Sequence, residues 1–274
     1  MRILLAGEGG QGVQTVAKII AQVSQKSGKF SSYIPSFGVE QRGGVSLAYI
    51  QVDDKAIPYP RFTKAEIVVA FCNRAIEKIK PFLKEDTLLI YDNSAITEKF
   101  LEPIKNKITK YFAIPAQKTA QEKYSIKALN MIFLGALVQT MRFLNAQDVE
   151  AAINEDLKAK IAKNPEIGEI NIAALHKGMS LIEVFNQNET PLEGAAEKEI
   201  EQTFEDDKKK WTRLPQYCKG CALCIVRCPV KALQFSDDLG FLGNPMPKID
   251  INKCIACEMC AKTCPDGAIK VEKK

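Results

Sequence analysis

Histidine is almost missing from this chain: His176 is the single copy in 274 residues. That argues against His-rich metal centres and makes histidine-centred acid–base catalysis a poor expectation. Long apolar runs are missing too. Ile3–Ala6 is too short for a signal-peptide core, and Met131–Met141, interrupted by Gly135, Gln139 and Thr140, falls short of the roughly 20 residues of a membrane span. A cytoplasmic protein is expected, with no membrane contact. No sign of charge dominates: the net +5 sets no expectation of nucleic-acid binding. Cysteine is scarce over most of the length, where Cys72 stands alone. The other eight of the nine cysteines fall between Cys218 and Cys264. Crowded cysteines in a reducing compartment point to metal or redox chemistry rather than to disulfides.

The length suits two domains, and charge divides the chain into three stretches. Residues 187–214 carry 5 Lys+Arg against 8 Asp+Glu, between a +5 stretch (1–186) and a +3 stretch (215–274). This acidic linker reads as a surface tether, with a helical turn around Glu197–Phe204 and Trp211 and Leu214 as anchors at its far end. In residues 1–186, strand signals at Arg2–Ala6, Val45–Val52, Glu66–Phe71 and Thr87–Tyr91 alternate with helical patterns at 13–23, 73–83, 116–141, 147–162 and 171–185. Ile57–Phe62 reads as a loop. Such alternation predicts a three-layer α/β/α sandwich around a largely parallel sheet. Cys72, after the strand pattern EIVVAF, reads as core.

Residues 215–274 contain an internal repeat. Cys218, Cys221, Cys224, Cys228 and Pro229 recur as Cys254, Cys257, Cys260, Cys264 and Pro265, and PVKALQF (229–235) answers PDGAIKV (265–271). Two copies imply pseudo-twofold symmetry. Each copy reads C-x2-C-x2-C-x3-C-P. Three cysteines three apart wrap one cube-shaped cluster; the fourth, expected at the start of a helix, reaches the other cluster. Cys218, Cys221, Cys224 and Cys264 are thus expected to hold one [4Fe-4S] cluster, and Cys254, Cys257, Cys260 and Cys228 the second. Pro229 and Pro265 are expected to open short helices. Small residues such as Gly220 and Ala256 let backbone N–H groups approach the sulfurs. Zinc is the alternative, but it favours two CxxC halves separated by a longer gap. Lys219, Arg227, Lys231 and Lys262 read as a patch able to guide an acidic partner or as a solvated face.

A glycine-rich turn, Gly7-Glu8-Gly9-Gly10-Gln11-Gly12, joins the first strand to the first helix. It fits G-x-G-x-x-G at the place where a helix N-terminus offers N–H groups to a phosphate or carboxylate. The acid that a nicotinamide dinucleotide site requires is missing from the following FSSYIPSFG. The lysine of a P-loop is missing too, with Val13 in its place. A turn serving only close packing stays open. Arg42, between Gln41 and Gly43, reads as an anion or subunit contact or as a solvated turn residue.

The GEGGQGV (7–13) and FGVEQRGGVSLAYIQV (37–52) segments, followed by the double cysteine motif, resemble the gamma subunit of 2-oxoacid:ferredoxin oxidoreductases fused to their delta subunit, a bacterial-type dicluster ferredoxin. The best-known members act on pyruvate. The resemblance implies thiamine diphosphate and Mg on partner alpha and beta subunits, which fits the lack of any Gly-Asp-Gly segment here. It also implies two [4Fe-4S] clusters that pass electrons to ferredoxin. A coenzyme A contact, with Gly7, Gly9, Gly10, Gln11, Gly12 and Arg42 as candidates by position, is a further implication. Oxalate-type members use no coenzyme A. A pure scaffold, and a dinucleotide-binding reductase with a built-in ferredoxin, are the other readings.

Overall fold

A computed structural model describes residues 1–37, 44–185, 201–215, 217–240 and 244–274. The chain divides into two compact units, Met1–Ala196 and Glu197–Lys274.

In chain order, the first unit comprises β1 (Arg2–Glu8), α1 (Val13–Lys26), β2 (Phe30–Phe37), β3 (Val45–Asp53), β4 (Ile67–Ala70), α2 (Asn73–Ile79), β5 (Leu88–Asp92), α3 (Glu98–Lys105), β6 (Lys110–Ile114), α4 (Ala116–Lys123), α5 (Leu129–Met141), α6 (Ala146–Asp156), α7 (Lys158–Ile161) and α8 (Glu166–Phe185). The sheet order is β2-β3-β1-β4-β5-β6. β1, β4, β5 and β6 run parallel, with Ile3 beside Ile67 and Ile67 beside Leu88. β2 and β3 form an antiparallel edge, with Leu4 of β1 opposite Tyr49.

Both faces of this sheet are covered, which is why its central strands are continuously apolar rather than alternating. Ile3 and Leu5 enter one core, with residues of α1, α5, α6 and α8; Leu4 and Ala6 enter the other, with residues of α2 and α3. Cys72 is buried in the second core. α5 is apolar all round and almost wholly buried, as such a helix must be. A Cβ built on its Gly135 would lie 1.9 Å from the Leu175 carbonyl oxygen, and one on Gly178 of α8 would lie 2.0 Å from that of Ile132. The two helices therefore cross almost backbone to backbone.

Four elements depart from expectation. β2 has Pro35 within it and weak alternation; an edge strand tolerates both. α3 and β6 are short and partly polar. The helix expected over 116–141 is split, because Tyr124 leaves helical geometry and the Ser125 hydroxyl accepts from Lys127 N at 3.3 Å, restarting the chain in a new turn.

The second unit contains β7 (Gln202–Glu205), β8 (Lys209–Arg213), α9 (Leu223–Arg227), β9 (Leu233–Leu239), β10 (Pro245–Ile249), α10 (Met259–Thr263) and β11 (Ile269–Lys273). β8 lies between β7 and β11 in an antiparallel sheet, and β9 pairs with β10. The expected tether is therefore corrected over 201–214. It forms two strands around a turn in which Asp206 Oδ1 accepts from Lys208 N at 2.9 Å and Lys209 N at 3.0 Å; Glu205 is exposed, whereas Arg213 is buried. The helical turn proposed up to Phe204 is strand over 202–204; residues 186–200 lie outside the described residues. Trp211 and Leu214 are buried as anchors. No helix among the described residues is long and apolar enough to cross a membrane.

Candidate metal centre and glycine-rich turn

The cysteine repeat is a repeat of backbone conformation. α9 and α10 occupy equivalent positions, as do the first residues of β9 and β11. Positive φ occurs at Gly220 and Ala256 (67° and 50°), at Ala222 and Glu258 (65° and 63°), and at Lys231 and Gly267 (50° and 62°), pair by pair. Left-handed geometry at four non-glycine residues costs of order 1–3 kcal/mol each and persists only where the surroundings impose it. Here it bends N–H groups toward sulfur. Ala232 N donates to Cys228 Sγ at 3.2 Å, and its counterpart Ala268 N to Cys264 Sγ at 3.3 Å. Ala256 N donates to Cys254 Sγ at 3.4 Å, and Gly220 N to Cys218.

The crossing cysteines are brought to the opposite copy. Cys228 lines a small pocket with Cys254, Cys257 and Cys260, walled by Leu233, Ile249 and Val271. Cys264 packs beside Cys218, and Cys221 and Cys224 share their electrostatic neighbourhood. These are the groupings in which the crossed arrangement would place the cysteines. One detail is corrected. Cys228 and Cys264 cap the C-terminal ends of α9 and α10 rather than starting helices, and Pro229 leads into a turn. A proline disfavours helical geometry in the residue before it and brings no N–H, so each helix stops at its cysteine.

Burial pushes the Cys224 thiol up to about 12, with Cys218, Cys264 and Cys221 adding repulsion. Cys218, Cys260 and Cys264 are raised too, again chiefly by burial. Thiolates as buried as these, in either set, need compensating positive charge, which iron would supply. Among the described residues, no three His, Cys, Asp or Glu side chains converge as on a single ion. Cys228, Cys254, Cys257 and Cys260 border a volume instead, as ligands of a cube do.

Lys219 is not part of a guiding patch. Its side chain is buried, with Nζ 2.8 Å from Asp266 Oδ1. Arg213, at the end of β8, is buried as well; it donates to Gln202 Oε1 at 2.6 Å and the Pro247 carbonyl at 2.8 Å, and pairs with Asp238. Its charge lies near Cys218 and favours that thiolate. Neither Arg213 nor Trp211 belongs to the cysteine motif, so spacing gave no signal for them.

In the first unit the glycine turn leads from β1 into α1. Gly10 (φ 102°) and Gly12 (φ 75°) adopt a geometry that glycine alone takes easily. A Cβ on Gly7 would meet Val13 at 2.7 Å, and one on Gly12 would meet Asn130 at 2.5 Å. Gly9 N donates to the Gly44 carbonyl at 3.2 Å, and Gln11 N to that of Glu8 at 3.0 Å. Gln11 is buried: its Oε1 accepts from Glu8 N at 2.7 Å, and its Nε2 has no partner. Close packing thus accounts for Gly7 and Gly12. Glu8 Oε1 lies 3.8 Å from Arg74. Arg42 lies outside the described residues.

The same strand ends carry a group that the motifs did not flag. Asp92, wholly buried at the end of β5, accepts from Ser94 N at 2.9 Å, Ser94 Oγ at 2.5 Å and Gln117 N at 2.7 Å. It caps α4, since the N-cap residue before that helix, Pro115, has no side chain able to do so. Burial raises its carboxyl to about 6, against the pull of those donors. The polar DNS directly after the apolar TLLIY was its one sequence signal.

Comparison with known proteins agrees with both units. Residues 2–181 match the family model described as pyruvate ferredoxin/flavodoxin oxidoreductase, and residues 217–268 match a 4Fe-4S dicluster domain. The 2-oxoglutarate synthase subunit KorC of Methanothermobacter thermautotrophicus is 32% identical over 183 residues, covering 66% of this chain and 94% of that subunit. The common gamma subunit of the pyruvate/ketoisovalerate oxidoreductases of Pyrococcus abyssi is 29% identical over 188 residues, covering 68% and 98%. Among solved structures, the keto/oxoacid ferredoxin oxidoreductase gamma subunit of Geobacter sulfurreducens shares the fold at 22% identity and a TM-score of 0.52, covering 67% of this chain and 98% of that one. The 2-oxoglutarate:ferredoxin oxidoreductase of Magnetococcus marinus, determined with 2-oxoglutarate, coenzyme A and succinyl-CoA bound, aligns at 22% identity and a TM-score of 0.60, over 74% of this chain and 35% of that one. The chain belongs to the pyruvate ferredoxin/flavodoxin oxidoreductase family, as a gamma-type domain continued by a 4Fe-4S dicluster ferredoxin domain.

Proposed function

We propose that this chain is the electron-relay subunit of a 2-oxoacid:ferredoxin oxidoreductase, joining the gamma and delta roles in one polypeptide. The observation that carries this reading is the cavity shared by Cys228 with Cys254, Cys257 and Cys260, in a chain whose first 181 residues match the oxidoreductase family almost throughout. When bound, the two [4Fe-4S] clusters supply one-electron acceptors in series.

The residues of the chain set the terms of that relay. Eight cysteines hold the clusters, four to each, with Cys228 and Cys264 exchanged between copies. The backbone N–H groups of Ala232, Ala256 and Ala268 direct hydrogen bonds at ligand sulfurs and so favour the reduced, more negative state. Leu233, Ile249 and Val271 keep water from one cluster and oppose that effect. Substrate chemistry belongs to partner alpha and beta subunits, which carry thiamine diphosphate and Mg. The gamma-type unit closes over that active site, and the Gly7–Gly12 turn with Arg42 contacts coenzyme A there. A relative solved with coenzyme A bound supports the ligand class. Electrons leave to a ferredoxin or a similar acceptor.

Affinity capture of the chain from its native source, without oxygen, tests this. A thiamine-diphosphate-binding partner is expected with it, together with 2-oxoacid-dependent reduction of ferredoxin. Recovery with no such partner would sink the proposal.

A further inference from the structure

Trp211 is the single tryptophan of the chain. It lies on β8, outside the cysteine repeat, opposite Val271 of β11 and Phe204 of β7. The side chain is wholly buried, its ring 5.8 Å from that of Phe204, in a core that includes Cys224, Cys228, Cys260 and Ala261. Packing alone would be served by another aromatic ring. The indole instead brings a polar N–H into a dry core, where its Nε1 has no hydrogen-bond partner. A buried donor of this kind calls for an explanation. Cys260 shares that core, and the indole favours its thiolate against burial; its sulfur is a soft acceptor that becomes a good one as a thiolate ligand.

We propose that Trp211 is a positioning residue for one cluster only: its indole N–H donates to the Cys260 sulfur and raises the reduction potential of the cluster held by Cys254, Cys257, Cys260 and Cys228. A donor aimed at a ligand sulfur stabilises the extra negative charge that one-electron reduction adds. The repeat supplies backbone donors to both clusters in equivalent pairs. Trp211 has no counterpart in the repeat, so its donor separates the two potentials.

This inference rests on the two-cluster reading, and its test keeps the two apart. The sole tryptophan is replaced biosynthetically, in the full-length chain, by benzothienylalanine, which keeps the bicyclic shape and lacks the N–H. Iron content and EPR-monitored redox titration are compared with the parent. About eight irons are expected in both. One midpoint should fall by an amount equivalent to about a tenfold change in the reduction equilibrium, about 59 mV for one electron, while the other stays. Two unmoved midpoints at full iron would overturn the role of Trp211. About four irons or fewer in the parent chain would overturn the two-cluster reading instead. Should the substituted chain load less iron than the parent, pulsed EPR decides on the reduced parent labelled with indole-15N tryptophan. A 15N coupling to one cluster is expected, and its absence overturns the proposal.

Discussion

Lys219 Nζ lies 2.8 Å from Asp266 Oδ1, and both side chains are more than nine-tenths buried. The first follows Cys218 in one copy of the motif and the second follows Pro265 in the other. The pair therefore joins the same two segments that Cys218 and Cys264 bring together. Removing one partner leaves a buried charge uncompensated, at a cost of about 3–5 kcal/mol, whereas replacing both with apolar residues costs much less. Asp266→Asn and Lys219→Met should each lower the guanidinium midpoint of the loaded ferredoxin unit, followed by cluster absorbance. The double variant Lys219→Met/Asp266→Leu should recover a large part of the loss. Equal or additive losses would refute the pairing as a source of stability.

Crossed ligation makes a prediction about pairs of cysteines. Cys228→Ser and Cys254→Ser remove ligands from the same proposed cluster, so the double variant should keep about four irons and one set of EPR signals. Cys228→Ser with Cys224→Ser strikes both clusters and should keep neither intact. Uncrossed ligation, each copy holding its own cluster, would give the reverse pattern in iron and sulfide analysis.

The crossing of α5 and α8 predicts a stability effect far from the clusters. Gly135→Ala and Gly178→Ala each place a methyl group about 2 Å from a backbone carbonyl oxygen that cannot turn away. Overpacking of this kind costs at least about 1–3 kcal/mol. Thermal unfolding followed by far-UV circular dichroism should show the loss in the first unit, while the cluster spectrum stays as in the parent.

Asp92 gives the first unit a pH dependence of known sign. Its carboxyl titrates near 6 when folded, above its ordinary 3.8. The folded state therefore holds a proton that the unfolded state has released between these values. Stability from this group is complete below about pH 4 and falls as pH rises to about 6, by about 3 kcal/mol for a shift of about two units. Asp92→Asn should abolish that slope in urea unfolding of the first unit between pH 4.5 and 6.5. A slope unchanged by the substitution would assign it to other groups.

Much of this molecule is legible in its sequence, and the reasons are local. Central strands buried on both faces, such as ILLA in β1 and IVVA in β4, announce themselves as apolar runs. The elements that escaped are those whose stability comes from neighbours. β2 needs an edge position to accommodate Pro35. β7 and β8 look like charged linker until β11 pairs with them. The Cys228 and Cys264 helices end at their cysteines because a proline follows, which reverses the expected polarity.

The cysteine spacing by itself pointed to a 4Fe-4S dicluster domain, which the match over residues 217–268 shows, and it carries the proposal of which four sulfurs belong together. The glycine turn likewise follows from residues that alone tolerate positive φ. What only the tertiary structure decided is which other groups surround the sulfurs. Lys219 turned from an exposed charge into a buried ion pair, and Trp211 and Arg213 moved from a presumed tether into the ferredoxin core. No spacing rule reaches these residues, because strand pairing between β8 and β11 joins segments more than fifty residues apart.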